Sequence, residues 1–180
     1  MFRCRAYTGC SLNFVTFHSS SHEELPLAQL FAFPNLWEAH NLWDELSVAK
    51  LPDALDVAKL PHAVTPYIMV MDIDAQAQLL RIRHAGSRLC DEYRADLCGL
   101  TADDIFESHD AMAVTAAGLQ MAMSGEPSLA RKSSISIAEC RWSYTQLVLP
   151  LSSDGAKIDR LIQLIDPSTL VYMENMRATA

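Results

Sequence analysis

Apolar and polar positions along this chain follow two different periods. From Asn35 onward, Leu36, Ala39, Trp43 and Leu46 recur at spacings of three and four, Leu42 widens the stripe, and Glu38, Asn41 and Glu45 lie opposite. That pattern predicts an amphipathic helix, with Asn35 placed to cap its first turn. Pro52, Pro61 and Pro66 then punctuate a connector with a short helical segment over 53–59, because proline fixes φ and lacks a backbone donor. The run 67–72 is nearly all apolar, as in a strand covered on both faces. After a polar turn at Asp74-Ala75-Gln76, residues 79–85 alternate. Leu80, Ile82 and His84 fall on one face, and Leu79, Arg81, Arg83 and Ala85 on the other. Two such runs joined by a short polar loop predict an antiparallel hairpin.

At Gly86 the strand pattern stops and a short helical segment over 87–93 begins, followed by a second glycine, Gly99. Thr101-Ala-Asp-Asp104 has the spacing of a capping box, with acids in a first helical turn where the dipole favours them. Over 110–124, Met112, Ala116, Leu119 and Met123 share a face; the rest is small or apolar, so much of this helix is expected to be buried. Gly125 and then Pro127 end it. Strands are predicted over 129–137, 141–151 and 157–165, the last two joined through Asp154-Gly155, a strong hairpin signal. Pro150 then belongs at a strand end, an edge or a bulge. The fold class is α+β: a five-stranded antiparallel sheet with helices on one face and an N-terminal flanking helix. The chain divides into a partly disordered extension (1–34), flanking helix and connector (35–60), the compact domain (61–166) and a tail with a short helix (167–180).

Four short motifs stand in order along this layout. They are Leu42-Trp43-Asp44-Glu45-Leu46, Arg83-His84-Ala85-Gly86-Ser87-Arg88-Leu89, Asp96-Leu97-Cys98-Gly99, and Leu149-Pro150-Leu151 followed by Asp154-Gly155. Together, over roughly residues 36–166, they resemble a stand-alone PAS subfamily common in alphaproteobacteria. Its counterparts are a tryptophan-bearing helix before the domain, R-x-x-G-T/S-x-L, D/E-L-T-G, and an L-P-L with a D-G pair. The chain departs from that subfamily at Arg94, where a glycine is usual, and at Cys98, where a threonine is usual. The resemblance implies a PAS fold and a sensor or interaction module that works through dimerisation rather than catalysis. No kinase, cyclase or DNA-binding pattern follows in the remaining residues.

Composition narrows the partners. The 180 residues suffice for one core plus an appendage, half of them are apolar and 20% are charged, as in a globular protein. A formal charge of −8 without a basic cluster argues against nucleic-acid and anionic-membrane partners. No apolar run approaches the roughly 20 residues of a membrane span, and Asn13, His18 and the serines at 19–21 interrupt anything like a leader. Five cysteines (Cys4, Cys10, Cys90, Cys98 and Cys140) without framework spacing point to reduced thiols and a cytoplasmic location.

Candidate chemistry is sparse. Ala102 stands where the flavin-photosensor branch of PAS domains has its reactive cysteine. His109 is the one histidine placed as a haem ligand, a position more often simply hydrogen-bonded. Cys4, Cys10, His18 and His22 have the wrong spacing for a zinc finger. Asp103, Asp104 and Glu107 read as capping rather than as a carboxylate site. No nucleophile elbow, phosphate loop or metalloprotease motif occurs. The expectation is therefore no enzyme, no metal and no assignable cofactor. Alternation and the PAS layout together nominate a ligand pocket lined by Ile82, His84, Tyr93, Met112, Ala116, Leu119, Trp142 and Tyr144, apolar and adaptable. The stripe Leu36, Ala39, Trp43 and Leu46 has two readings: it covers the domain's own sheet, or it packs against a second copy in a homodimer. The function expected is sensing of a small, largely apolar ligand, with output through a dimer or a protein partner. A ligandless adaptor is the alternative, and thiol-based redox sensing at Cys98 trails both.

Overall fold

Six strands, all antiparallel to their neighbours, make one sheet in the order β1-β4-β5-β6-β2-β3. They are β1 (Ser21–Leu25), β2 (Ile68–Asp74), β3 (Leu79–Ala85), β4 (Ser128–Ile137), β5 (Cys140–Leu151) and β6 (Arg160–Met173). The helices are α1 (Pro34–Leu46), α2 (Ser87–Tyr93), α3 (Ala102–Ile105) and α4 (Ser108–Ser124). This computed structural model describes residues 21–47, 51–93, 95–106, 108–137 and 140–173. Arg94, Glu107, Cys4, Cys10 and His18 lie outside these, as does the disorder expected of residues 1–20.

Period-two alternation sends each strand's side chains to two different cores. Leu147, Leu149 and Leu151 of β5, Ile162 and Leu164 of β6, Ile68 of β2 and Leu129 of β4 face one side. There they meet Leu36, Ala39 and Trp43 of α1 and Leu30 of the 3-10 turn Leu27–Ala32. Tyr144 and Val148 of β5, Leu161 and Ile165 of β6, Met69 and Met71 of β2 and Ile82 of β3 face the other side, under α2, α3 and α4.

The sixth strand is a correction. Residues 21–25, assigned to the N-terminal extension, pair with β4 from Ser21↔Ser133 to Leu25↔Leu129, and Arg131 Nη1 lies 3.1 Å from Glu23 Oε2 across that pair. Five residues carry too short an alternation to announce a strand, and only an available sheet edge makes them one. The tail is a second correction. Instead of turning helical at 167, β6 continues to Met173. It does so through an irregularity opposite Ser143–Thr145, where the Thr169 hydroxyl accepts the Thr145 N–H at 2.8 Å. The helical segment expected over 53–59 is a single 3-10 turn, Val57–Lys59, with the Asp56 carboxylate accepting from the Ala58 N–H.

At the start of α1, Pro34 occupies the first turn and Phe33 is the cap residue, so Asn35 is not the N-cap. Its amide instead donates to Asp166 Oδ1 on β6 at 3.3 Å. Trp43 Nε1–H donates to the Pro150 carbonyl at 2.8 Å, pinning the other end of the helix to the sheet, and Pro150 itself lies at the end of β5. Leu36, Ala39 and Trp43 are buried against this chain's own sheet, which leaves them no surface to offer a second copy. Of the stripe nominated for a dimer, only Leu46 is exposed.

Candidate functional site

The second core is not filled. Between the sheet and α3–α4 lies a cavity of about 660 Å³, within the range of roughly 300–1,000 Å³ usual for small-molecule sites. Local sequence builds its walls. β3 ends at Gly86, where a side chain would not fit: a Cβ there would stand 2.3 Å from the Pro66 carbonyl oxygen. The chain turns into α2, whose Leu89 and Cys90 are buried and whose Tyr93 reaches the cavity. It returns at Gly99, which has φ +86°, the left-handed region that glycine occupies without steric cost. There Gly99 N–H donates to the Ile82 carbonyl at 2.7 Å and Ile82 N–H to the Leu100 carbonyl at 2.8 Å, so the excursion closes along the free edge of β3. The Asp104 carboxylate then accepts both the Thr101 N–H and the Thr101 hydroxyl at 2.8 Å. These bonds hold the carboxyl below its usual range and start α3, which leads into α4. The capping reading of 101–104 stands on these two bonds.

α4 faces the cavity with its smallest residues. Ala113, Ala117 and Gly118 line it, along with Val114 and Met121. At Gly118 a Cβ would approach Leu80 Cδ1 to 2.6 Å, so the glycine lets helix and sheet come close. Met112 is 64% exposed, Ala116 is exposed and Leu119 is half-buried; none of the three lines the cavity. The expected stripe was thus the outer one, and the expectation that much of this helix is buried is also corrected: only Ala111 and Gly118 are. The helix is apolar nearly all round, and periodicity cannot then say which side faces inward.

Of the eight nominated pocket residues, the structure brings three together: Ile82, Tyr93 and Tyr144. His84 is displaced by a β-bulge. Met71 pairs with Ile82 but Val70 pairs with His84, which leaves Arg83 as the extra residue. His84 therefore shares the face of Val70, opposite to Ile82, which strict alternation cannot foresee. Trp142 is buried in the core beside the cavity, edge-on to Tyr93 at 6.4 Å and to Tyr172 at 5.5 Å.

Four polar side chains that sequence reasoning passed over stand on the cavity wall: Lys132 of β4, Gln146 of β5, Gln163 of β6 and, at the mouth, His22 of β1. Register places them. His22 pairs with Lys132, Lys132 with Tyr144, Ala130 with Gln146, and Val148 with Gln163. No hydrogen bond of Lys132, Tyr144, Gln146 or Gln163 side chains occurs among the described residues. Tyr144 and Gln146 are buried and Lys132 and Gln163 half-buried, and where the four converge on one cavity a ligand's polar atoms would be received. Burial pushes the Tyr144 hydroxyl well above its ordinary pKa; burial, reinforced by Tyr144, does the same for Tyr93. Both remain neutral donors at any physiological pH. The Lys132 amine is lowered by burial, an effect opposed by Asp110. A signal was present: Gln146 lies between Tyr144 and Val148, and Gln163 between Leu161 and Ile165, each a lone amide on an otherwise apolar strand face.

His109 lies exposed at the mouth, its Nδ1 3.6 Å from Asp110 Oδ1. Cys98 is half-buried and Cys90 buried. Among the described residues no group of histidine, cysteine and acidic side chains is arranged to hold a metal ion, and no helix is long and apolar enough to cross a membrane. Comparison with family models, with curated proteins and with solved structures returned no match.

Proposed function

We propose that this chain is a PAS-type sensor module of the cytoplasm that binds a small, largely apolar ligand and acts by recognition rather than catalysis. Output then passes through a homodimer or a partner protein. The observation that carries the reading is the cavity, apolar in most of its wall, with Lys132, Tyr144, Gln146 and Gln163 converging on it from the strands. Two further features support it. From β2 onward the elements run strand, strand, short helices, long helix, three strands, as the resemblance implies. The residues behind that resemblance also have structural work: Gly86 and Gly99 shape the cavity wall, and Leu149 and Leu151 anchor α1.

Native mass spectrometry of the purified full chain tests this, together with titration by the neutral fluorophore N-phenylnaphthylamine. A co-purifying small molecule, or saturable fluorophore binding lost on Ala117→Leu, is the expected result. Neither appearing would overturn ligand sensing in favour of an adaptor. The adaptor reading has its own observation: Met112, Ala116 and Met123 expose an apolar strip on the outer side of α4.

A further inference from the structure

The polar groups of the cavity are not spread evenly, and their distribution carries a statement about ligand class that rests on the sensor reading above. At one end, under α3 and against β2–β3, the wall is Met71, Leu80, Ile82, Ile105 and Leu161, bordered by Gln163 where it pairs with Met69. At the other, cross-strand register sets Lys132 directly beside Tyr144, with Gln146 one residue pair away on the same face. Directly opposed residues hold their Cβ atoms about 5 Å apart, so one small group can meet an ammonium, a phenol and an amide together. All three are donors, and the tyrosine is held neutral by burial.

Three acids, Glu24, Asp110 and Glu126, also line the cavity, and none forms an ion pair with the lysine among the described residues. Glu24 projects into solvent, its side chain 83% exposed, with His22 at 3.9 Å. Asp110, its side chain 22% exposed, lies against His109 and favours the charged form of Lys132, while no carboxylate comes within 4 Å of the Lys132 amine among the described residues. Water screens the exposed Glu24 far more than the half-buried amine. This end of the cavity, beside the mouth at His22, is therefore the donor-rich one, and it faces an apolar one.

We propose that the cavity takes an amphipathic carboxylic acid, its carboxylate on Lys132 with Tyr144 and Gln146 and its apolar body against Met71, Leu80, Ile82 and Leu161. A charge-assisted bond to an ammonium, with two neutral donors beside it, is what a carboxylate exploits and an alcohol of equal length does not.

The test displaces N-phenylnaphthylamine from the full chain with decanoic acid or decanol at neutral pH. Decanoic acid is expected to bind roughly tenfold tighter than decanol or better. Lys132→Met, which keeps the length and apolar stem, should abolish that preference while decanol still binds, and Lys132→Arg should retain most of it. Equal displacement by acid and alcohol in the unmodified protein overturns the carboxylate assignment and leaves the sensor reading standing. So does an acid preference that survives Lys132→Met. Failure of the fluorophore to bind, with no co-purifying molecule in native mass spectrometry, removes the cavity reading, and this inference with it. The comparison of acid with alcohol needs no variant, so a Lys132→Met protein that failed to fold would still leave it decisive.

Discussion

The two faces of this sheet share the same strands and differ in what covers them. Under α1, Leu36, Ala39 and Trp43 meet Leu147, Leu149, Leu151, Ile162 and Leu164, all of them buried. Under α4, the apolar residues that line the cavity are mostly small, Ala113, Val114, Ala117 and Gly118 beside Met121, and a cavity of about 660 Å³ stays open. Hydrophobicity does not separate the two faces; side-chain volume does. A covering helix that brings tryptophan and leucine makes a core, whereas one that brings alanine and glycine leaves room, and the strands beneath it carry the amides and hydroxyl that an empty core would not tolerate.

Several substitutions press on that contrast. Trp43→Ala removes the largest side chain from the closed face and its bond to the Pro150 carbonyl, and should cost about 3–5 kcal/mol, read from urea unfolding. A loss below 1 kcal/mol would mean that the closed face is not a packed core. On the open face, Ala117→Leu places extra carbons where space exists. We expect it to change stability by less than about 1.5 kcal/mol while eliminating fluorophore binding; a large destabilisation would show the cavity to be too tight for a ligand. The turn that joins β5 to β6 serves both faces alike. There the Asp154 carboxylate accepts from the Ala156 and Lys157 N–H groups, each at 2.8 Å, and from the Ser152 hydroxyl, which together hold its pKa down to about 2. A depressed carboxyl contributes stability above its unfolded value of roughly 4 and loses it as pH falls through its folded value. Asp154→Asn should therefore flatten the dependence of thermal stability on pH between those values, without favouring either face. Last, Met112→Gln on the outer side of α4 should alter stability by no more than about 0.5 kcal/mol and leave fluorophore binding intact. If binding falls with Met112, the wall of the cavity lies elsewhere on that helix.

Much of the fold was legible along the chain, and rather less of the site. β3 and α2 lie where the pattern places them, at Leu79–Ala85 and Ser87–Tyr93, because a glycine that tolerates no side chain separates a clean alternation from a helical run. The turn at Asp154-Gly155 and the strand-end position of Pro150 were equally readable, since both depend on local backbone geometry. The pocket was harder. Ile82, Tyr93 and Tyr144 line it as expected, whereas His84 is carried to the opposite face by one bulged residue. Met112, Ala116 and Leu119 were nominated as one helical stripe, and α4 turns a different side, with Ala113, Ala117 and Gly118, to the cavity. For α1 the pattern left two destinations open, and the sheet within the chain takes the stripe.

By itself the sequence determined the local elements, their order and the α+β class, because periodicity, glycine, proline and capping residues act over a few positions. Only the tertiary structure decided that residues 21–25 complete the sheet, that β6 runs on to Met173, and that α4 presents alanines and Gly118 across from Leu80. It alone brought Lys132, Tyr144, Gln146 and Gln163 to one cavity. Those outcomes depend on strand register and on how closely a helix approaches a sheet. Both are set by contacts between residues far apart in the chain, and no window along the sequence contains them.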